Sequence, residues 1–169
     1  MKLYLIKHGQ SVANKEKRHG AFNDPLTEEG INQAKSVKAP DCDLVYASDM
    51  IRALQTAKII FHDKEIILDS RLREKNCGIY SGLKIAECDY SNINKMDFMK
   101  RKVLGGESLI DVQKRVLAFV SELPEGSHAI VAHGTLLRVL VASLQKKDIK
   151  KYILENQMDN CDVITIKFR

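Results

Sequence analysis

Apolar and polar residues alternate along the chain in two rhythms, and each change of rhythm marks an element. Residues 2–6 (KLYLI) form a β-prone run that stops at Lys7, His8 and Gly9, which predicts a buried first strand ended by a glycine. A polar loop follows and closes in NDPLTEEG, where Thr27 suits an N-cap and Glu28 and Glu29 suit the first turn of a helix running to about Lys38. DLVYAS (43–48) predicts a second strand, and residues 49–60 a helix with Ile51, Leu54, Ala57 and Ile60 or their neighbours on one face. EIILD (65–69) is a third strand, whereas residues 75–105 carry glycines and polar residues without a period and predict an excursion over the sheet. Apolar positions 109, 112, 116, 119 and 120 predict an amphipathic helix over 107–123. A fourth strand is expected at 128–134, then a helix apolar nearly all round at 135–144, then a closing strand at 162–168. Strands alternating with helices indicate an α/β fold, a three-layer α/β/α sandwich on a mostly parallel central sheet. No repeat, linker or low-complexity segment interrupts it, so residues 1–169 are expected to form one domain.

Composition narrows the class. With 44% apolar and 29% charged residues, the chain has the balance of a folded globular protein rather than a disordered one. No apolar run approaches the roughly 20 residues that span a membrane, and the apolar part of MKLYLIKHG is too short for a secretion signal. A cytoplasmic protein with no membrane partner is the expectation. Cys42, Cys77, Cys88 and Cys161 show no C-x-x-C spacing and read as free thiols in a reducing compartment. A net charge of +5 suits an anionic ligand, and on charge alone it also suits weak nucleic-acid binding. With 6% aromatic residues and no Trp, stacking platforms are scarce, so no nucleic-acid partner is expected. The basic clusters at 15–18 and 99–102 then read as solvated faces.

In open α/β sheets, ligands bind beyond the carboxyl ends of the strands. His8-Gly9 and His133-Gly134 each follow a predicted strand, and would meet at one sheet edge if those strands are parallel neighbours. His19-Gly20 follows NKEKR, which is no strand, and is expected in a surface loop. Each glycine would let a ligand or a backbone amide come close. Metal chemistry finds no H-E-x-x-H helix and no Cys/His ligand cluster, and His128 and His133, five apart on one strand, should point to opposite faces. The P-loop pattern and the G-x-S-x-G elbow are absent as well.

LIKHGQSVAN, DPLTEEGINQA, YASDMIRALQTA, LREKNCGIYSG, GGESL and VAHGTLLR occur in the order and spacing of one known family. The chain resembles the histidine phosphatase superfamily, the phosphoglycerate mutase-like proteins with an Arg-His-Gly motif, from Lys2 to about Phe168. The resemblance implies a phosphoglycerate mutase-like fold and a motif histidine, His8, that attacks phosphorus. It places the second arginine at Arg52, the second histidine at His133 and the acid at Glu74 in LREKNCG. It implies further phosphate donors at Asn14 and the backbone after Gly134, with Gln10 and Ser11 beside them. Physical need agrees: imidazole is a good nucleophile near neutrality, and phosphoryl oxygens require fixed positive donors. Without the motif, Arg52 would read as a surface ion-pair residue and Glu74 as a solvated acid that Glu87, Glu107 or Asp49 could replace. Glu107 reads as a helix-entry residue, Arg138 as structural and the cysteines as packing.

Two departures stand out. Lys7 occupies the place of the motif's first arginine, keeping the charge without the two-pronged grip, and is expected to face the phosphate beside His8. Tyr80 and Ser81 stand where relatives usually carry Trp and Glu. The expected function is a phosphatase that acts on a small phosphorylated substrate through phospho-His8, with Lys7, Asn14, Arg52 and His133 holding the phosphoryl group and Glu74 as acid and base. No metal or organic cofactor is implied, and the oligomeric state is left open. A phosphoglycerate mutase and a non-catalytic phospho-ligand binder, the latter permitted by Lys7, are the rival readings.

Overall fold

The computed structural model describes residues 1–168, and five strands form one sheet among them, in the order β3-β2-β4-β1-β5. They are β1 (Lys2–Lys7), β2 (Leu44–Ala47), β3 (Ile66–Leu68), β4 (Ser127–Ala132) and β5 (Val163–Lys167). The first four run parallel, and β5 pairs antiparallel with β1 at the edge. β1 and β4 are direct neighbours in a register that sets Lys7 beside Ala132. Their carboxyl ends therefore finish together, and the residues just beyond them share one edge.

Helices cover both faces. On one lie α2 (Glu28–Ser36) and α3 (Ile51–Ile60), whose Ala34, Ala57 and Ile60 pack with Ile6, Val45 and Val131. On the other, α4 (Leu109–Ser121) and α5 (Gly134–Leu144) pack Val112, Val116, Leu136 and Leu140 against Leu3, Leu5 and Ile130. The Thr27 hydroxyl accepts from the Gly30 amide at 3.0 Å, the cap expected of it, a bond worth about 1 kcal/mol. The helix it starts ends at Ser36, short of Lys38, because Val37 is already extended.

Three features depart from the sequence pattern. A one-turn helix, α1 (Val12–Lys15), opens the polar loop, closed by a reciprocal cap between Ser11 and Asn14. Residues Ile149–Glu155 form α6, capped by the Asp148 side chain, and Ile149, Tyr152 and Ile153 rest on the core. In α3 the buried stripe is Arg52, Ala53, Thr56, Ala57 and Ile60, so Ala57 and Ile60 face inward as expected while their neighbours Arg52 and Ala53 take the places of Ile51 and Leu54. That exchange puts a guanidinium into the protein. Between β3 and α4 the chain makes 3-10 turns at Ser70–Leu72, Gly78–Tyr80, Ile85–Glu87 and Ile93–Lys95, in place of longer elements.

Candidate active site

His8 and His133 are the first residues past the ends of β1 and β4, and their ring centroids lie 5.0 Å apart. The His8 amide donates to the Ala132 carbonyl at 3.0 Å, which fixes the two turns to each other. His8 Nδ1 lies 2.7 Å from the Gly9 carbonyl. A carbonyl only accepts, so Nδ1 carries the proton and Nε2 presents a lone pair. Burial first, and the Arg52 guanidinium second, push His8 down to about 3, so the ring is neutral and nucleophilic.

His133 is fully buried and sits with Nε2 2.9 Å from the Ser48 hydroxyl. That hydroxyl also accepts from the Met50 amide, and its one proton can go to His133 Nε2. Nδ1 of His133 is buried without a partner, and in the tautomer that accepts from Ser48 it carries the hydrogen. A buried, unpaired donor next to His8 is suited to a phosphoryl oxygen. Burial and the neighbouring positive charges hold His133 well below the usual histidine value.

Arg52 is 3% exposed, and no carboxylate forms a salt bridge with it among the described residues. It donates to the Ala21 carbonyl at 2.7 Å, and its other terminal nitrogen lies 3.5 Å from the Met50 sulfur. The surface ion-pair alternative is therefore set aside. Thr56, one turn along, donates to the Arg52 carbonyl at 2.7 Å and accepts from the Gly9 amide at 3.0 Å. This ties the turn after His8 to the helix that carries Arg52.

The Glu74 carboxylate lies at the N-terminus of α5. Oε2 accepts from the Thr135 amide at 3.0 Å, while Oε1 accepts from Leu136 at 3.1 Å and Lys75 at 2.9 Å. Oε1 is thus filled, and Oε2 retains a lone pair that can take a proton. The other acids are engaged elsewhere: Asp49 pairs with Arg73 at 2.5 Å, and Glu87 lies 4.0 Å from Lys84. Glu107 is not in the first turn of α4. It pairs with Arg115 at 2.8 Å, and Arg115 also holds the Glu74 carbonyl at 3.2 Å. Ser108, capped reciprocally with Asp111, opens that helix instead.

Of the remaining expected donors, Lys7 reaches along Gly134 and donates to the Met158 carbonyl at 2.7 Å. Burial lowers its pKa, while Glu74 opposes the shift. Asn14 is exposed, and its Oδ1 accepts from the Ser11 amide at 3.1 Å. Gln10 turns its side-chain oxygen to the Thr27 hydroxyl at 2.9 Å, and Ser11 is spent on capping α1. The structure gathers His8, Arg52, Glu74, His133 and Gly134, and leaves Gln10 and Ser11 in the scaffold. Gly9 serves a different neighbour from the one expected, since a Cβ there would lie 2.4 Å from the Gly30 carbonyl oxygen. His128 sits at the far end of β4, bonded to the Pro124 carbonyl at 2.8 Å. Ser48, Thr56 and Arg115 were missed in the sequence. Ser48 alone had a signal, as the residue that ends the second strand.

A cavity of about 240 Å³ is lined by His19, Tyr80, Tyr90 and Arg101 together with Lys75 and Thr135, whose amides both bond to the Glu74 carboxylate. Glu74 itself lines a neighbouring cavity of about 370 Å³ with Gly20, Met50 and Cys77. No group of three or more His, Cys, Asp or Glu side chains suited to a metal occurs among the described residues, and all four cysteines are free. No helix among them is long and apolar enough to cross a membrane.

Comparison with known proteins gives a consistent picture. The family model described as "Histidine phosphatase superfamily (branch 1)" matches residues 3–169. A protein of Escherichia fergusonii called probable phosphoglycerate mutase GpmB is 32% identical over 163 residues, covering 85% of this chain and 74% of its own. The alpha-ribazole phosphatase of Shigella flexneri superposes with a TM-score of 0.87 at 25% identity, over 100% of this chain and 91% of that one. A mycobacterial glucosyl-3-phosphoglycerate phosphatase gives 0.82 at 27% identity, over 97% and 88%.

Proposed function

The chain belongs to the histidine phosphatase superfamily, branch 1, and on that premise we propose that it hydrolyses a small phosphomonoester in two displacements at His8. The observation that carries this reading is the His8 tautomer, whose Nδ1 is tied to the Gly9 carbonyl at 2.7 Å so that Nε2 is left as the base. Nε2 attacks phosphorus and the ester P–O bond breaks. The departing oxygen takes a proton from Glu74 Oε2. A water then gives that proton back to Glu74 while its oxygen attacks the phosphohistidine, the P–N bond breaks, and inorganic phosphate leaves. Arg52, the His133 Nδ1–H and the amide end of α5 at Gly134 are the donors for the equatorial oxygens, with Lys7 and Asn14 at the rim. No cofactor enters the scheme.

A mutase reading has the Escherichia relative's name in its favour. Against it stands the short segment over the site, about thirty residues in 75–105, where a mutase must keep a released intermediate covered. The test is phosphate release from a panel of phosphorylated metabolites together with p-nitrophenyl phosphate. His8→Ala is expected to abolish release, and wild-type protein quenched during turnover should carry an acid-labile, alkali-stable phosphoryl group on His8. Transfer of the label between carbon positions without free phosphate would favour the mutase, and release unaffected by His8→Ala would remove His8 from the chemistry.

A further inference from the structure

The third His-Gly pair does more than occupy a loop. His19 lies half-buried among the residues that cover the site: its ring Nε2 meets the Tyr90 hydroxyl, and its plane stacks at 20° on Tyr80, 6.4 Å away. Tyr90 packs edge-on to both, at 6.2 Å from His19 and 5.5 Å from Tyr80. The backbone joins in, since the His19 amide donates to the Leu83 carbonyl and the Gly82 amide donates to the His19 carbonyl, each at 2.9 Å. Arg18 bridges Lys84, and the Ile85 amide donates to the Lys17 carbonyl at 3.0 Å.

This attachment matters because residues 78–95 have little else to hold them. Their three 3-10 turns contain no buried residue, and Ile79, Leu83 and Ile85 are 46–59% exposed. Gly78 is tied at one end to Leu104 and Gly106, and Phe98 and Met99 rest on the core at the other. Between those ends, the ring cluster at His19 and the strand-like pairing beside it are the main fastening, with one hydrogen bond from Arg101 to Asn94 at 3.2 Å besides.

The anchor side is stiff and points at the chemistry. Asp24, 9% exposed, accepts from Arg18 at 2.9 Å and from the Ala21 amide at 2.5 Å, which closes the 18–24 loop on itself. Directly after His19, a Cβ on Gly20 would lie 3.0 Å from the Arg52 guanidinium, and the Ala21 carbonyl accepts from it at 2.7 Å. Burial and Lys75 hold His19 below the usual histidine value, and burial pushes Tyr90 up to about 12. Both groups are therefore uncharged near neutrality, and the contact is a hydrogen bond between a phenol and a neutral imidazole.

We propose that His19 is a positioning residue for leaving-group selection: it pins residues 82–90 to the loop that holds Arg52, so the wall that His19, Tyr80 and Tyr90 give to the cavity shared with Lys75 and Thr135 keeps a set distance from the phosphate clamp. Esters whose leaving group reaches that wall depend on the pin, and esters that fill only the phosphate site do not. The kinetic half of this proposal rests on the phosphatase reading. The structural half does not.

The experiment compares His19→Ala, His19→Gln and Tyr90→Phe with the wild-type chain, using phenyl phosphate and the bicyclic 4-methylumbelliferyl phosphate. In His19→Ala and Tyr90→Phe, KM for the bicyclic ester is expected to rise about three- to tenfold, the size of one lost hydrogen bond. kcat on phenyl phosphate should stay within about twofold. His19→Gln, which can still hydrogen-bond to Tyr90, should recover most of the loss. Trypsin should cut His19→Ala faster after Lys84 and Lys95, with the thermal midpoint unchanged. Tyr90→Phe guards against misfolding of the alanine variant, since it removes one oxygen. Equal KM changes for the two esters, or unchanged cleavage at Lys84 and Lys95, would overturn the proposal. So would a collapse of kcat on phenyl phosphate, which would put His19 in the chemistry. A wild-type chain that releases no phosphate from any ester would fail the phosphatase reading alone, and the cleavage pattern would still decide whether the pin exists.

Discussion

Neighbouring strand residues leave a sheet on opposite faces, and at the end of β1 this separates Lys7 from His8. Leu3 and Leu5 join the core under α4 and α5, Ile6 joins the one under α2 and α3, and Lys7 follows the first set toward Met158 and Gly134. The ammonium therefore reaches the α5 end of the site, from which its charge still acts on both His8 and His133. Bound to one carbonyl at 2.7 Å, it has two hydrogens to spare for an incoming anion. Lys7→Met, which keeps the stem along Gly134, is expected to lower kcat/KM for p-nitrophenyl phosphate about tenfold or more. Lys7→Arg should preserve or raise it, because a guanidinium can bridge two oxygens. Unchanged kinetics in Lys7→Met would mean that the charge serves Met158 alone.

At the scale of elements, the two histidine turns are built differently although each reads His-Gly. The turn after β1 is wedged against α2: a Cβ on Gly9 would lie 2.4 Å from the Gly30 carbonyl oxygen, and one on Gly30 would lie 2.1 Å from that of Gln10. The turn after β4 is open, since a Cβ on Gly134 meets only Lys7 atoms at 3.6 Å and beyond. Gly30→Ala is thus expected to cost about 1–3 kcal/mol through overpacking, and to raise KM by shifting His8. Gly134→Ala should leave the urea midpoint unchanged or higher, alanine being the better helix former, while its methyl group crowds the phosphate and raises KM. A Gly30→Ala protein as stable as wild type would show that α2 can draw back freely from the His8 turn.

For the molecule as a whole, the site is a pH liability. His8 is held at about 3 and His133 well below its ordinary value, both mainly by burial. In the unfolded chain both titrate near 6.5, so as the pH falls below that point the unfolded state binds protons that the folded state refuses. Stability is full above about 6.5 and declines as the pH drops toward 3, by up to about 1.4 kcal/mol per pH unit for each ring. Asp24, Asp69 and Glu107, whose pKa values are lowered, add their losses only at lower pH, near and below the ordinary carboxylate range. Urea midpoints measured between pH 7 and about pH 5 isolate the histidines. A steady fall is expected there for the wild type and a flatter line for His8→Asn/His133→Gln. Matching slopes would place the liability elsewhere.

Much of this was legible in the one-dimensional pattern, for a physical reason. Period-two and period-3.6 burial is local, so the strands, the stripe at 109, 112, 116, 119 and 120, and the His8 and His133 strand ends could be read directly. The motif spacing placed Arg52 and Glu74 in the site as a property of the family. α6 was missed although Asp148 and the 149–152–153 spacing announced it, because its seven residues are too few to outweigh the lysines among them. Tertiary structure alone decided the rest. The packing of α3 turned Arg52 and Thr56 inward beside Ala57 and Ile60, and strand pairing set Lys7 against α5. Packing between segments sixty or more residues apart joined His19 to Tyr80 and Tyr90. Such contacts depend on how elements far apart in the chain close on one another, which no local period records.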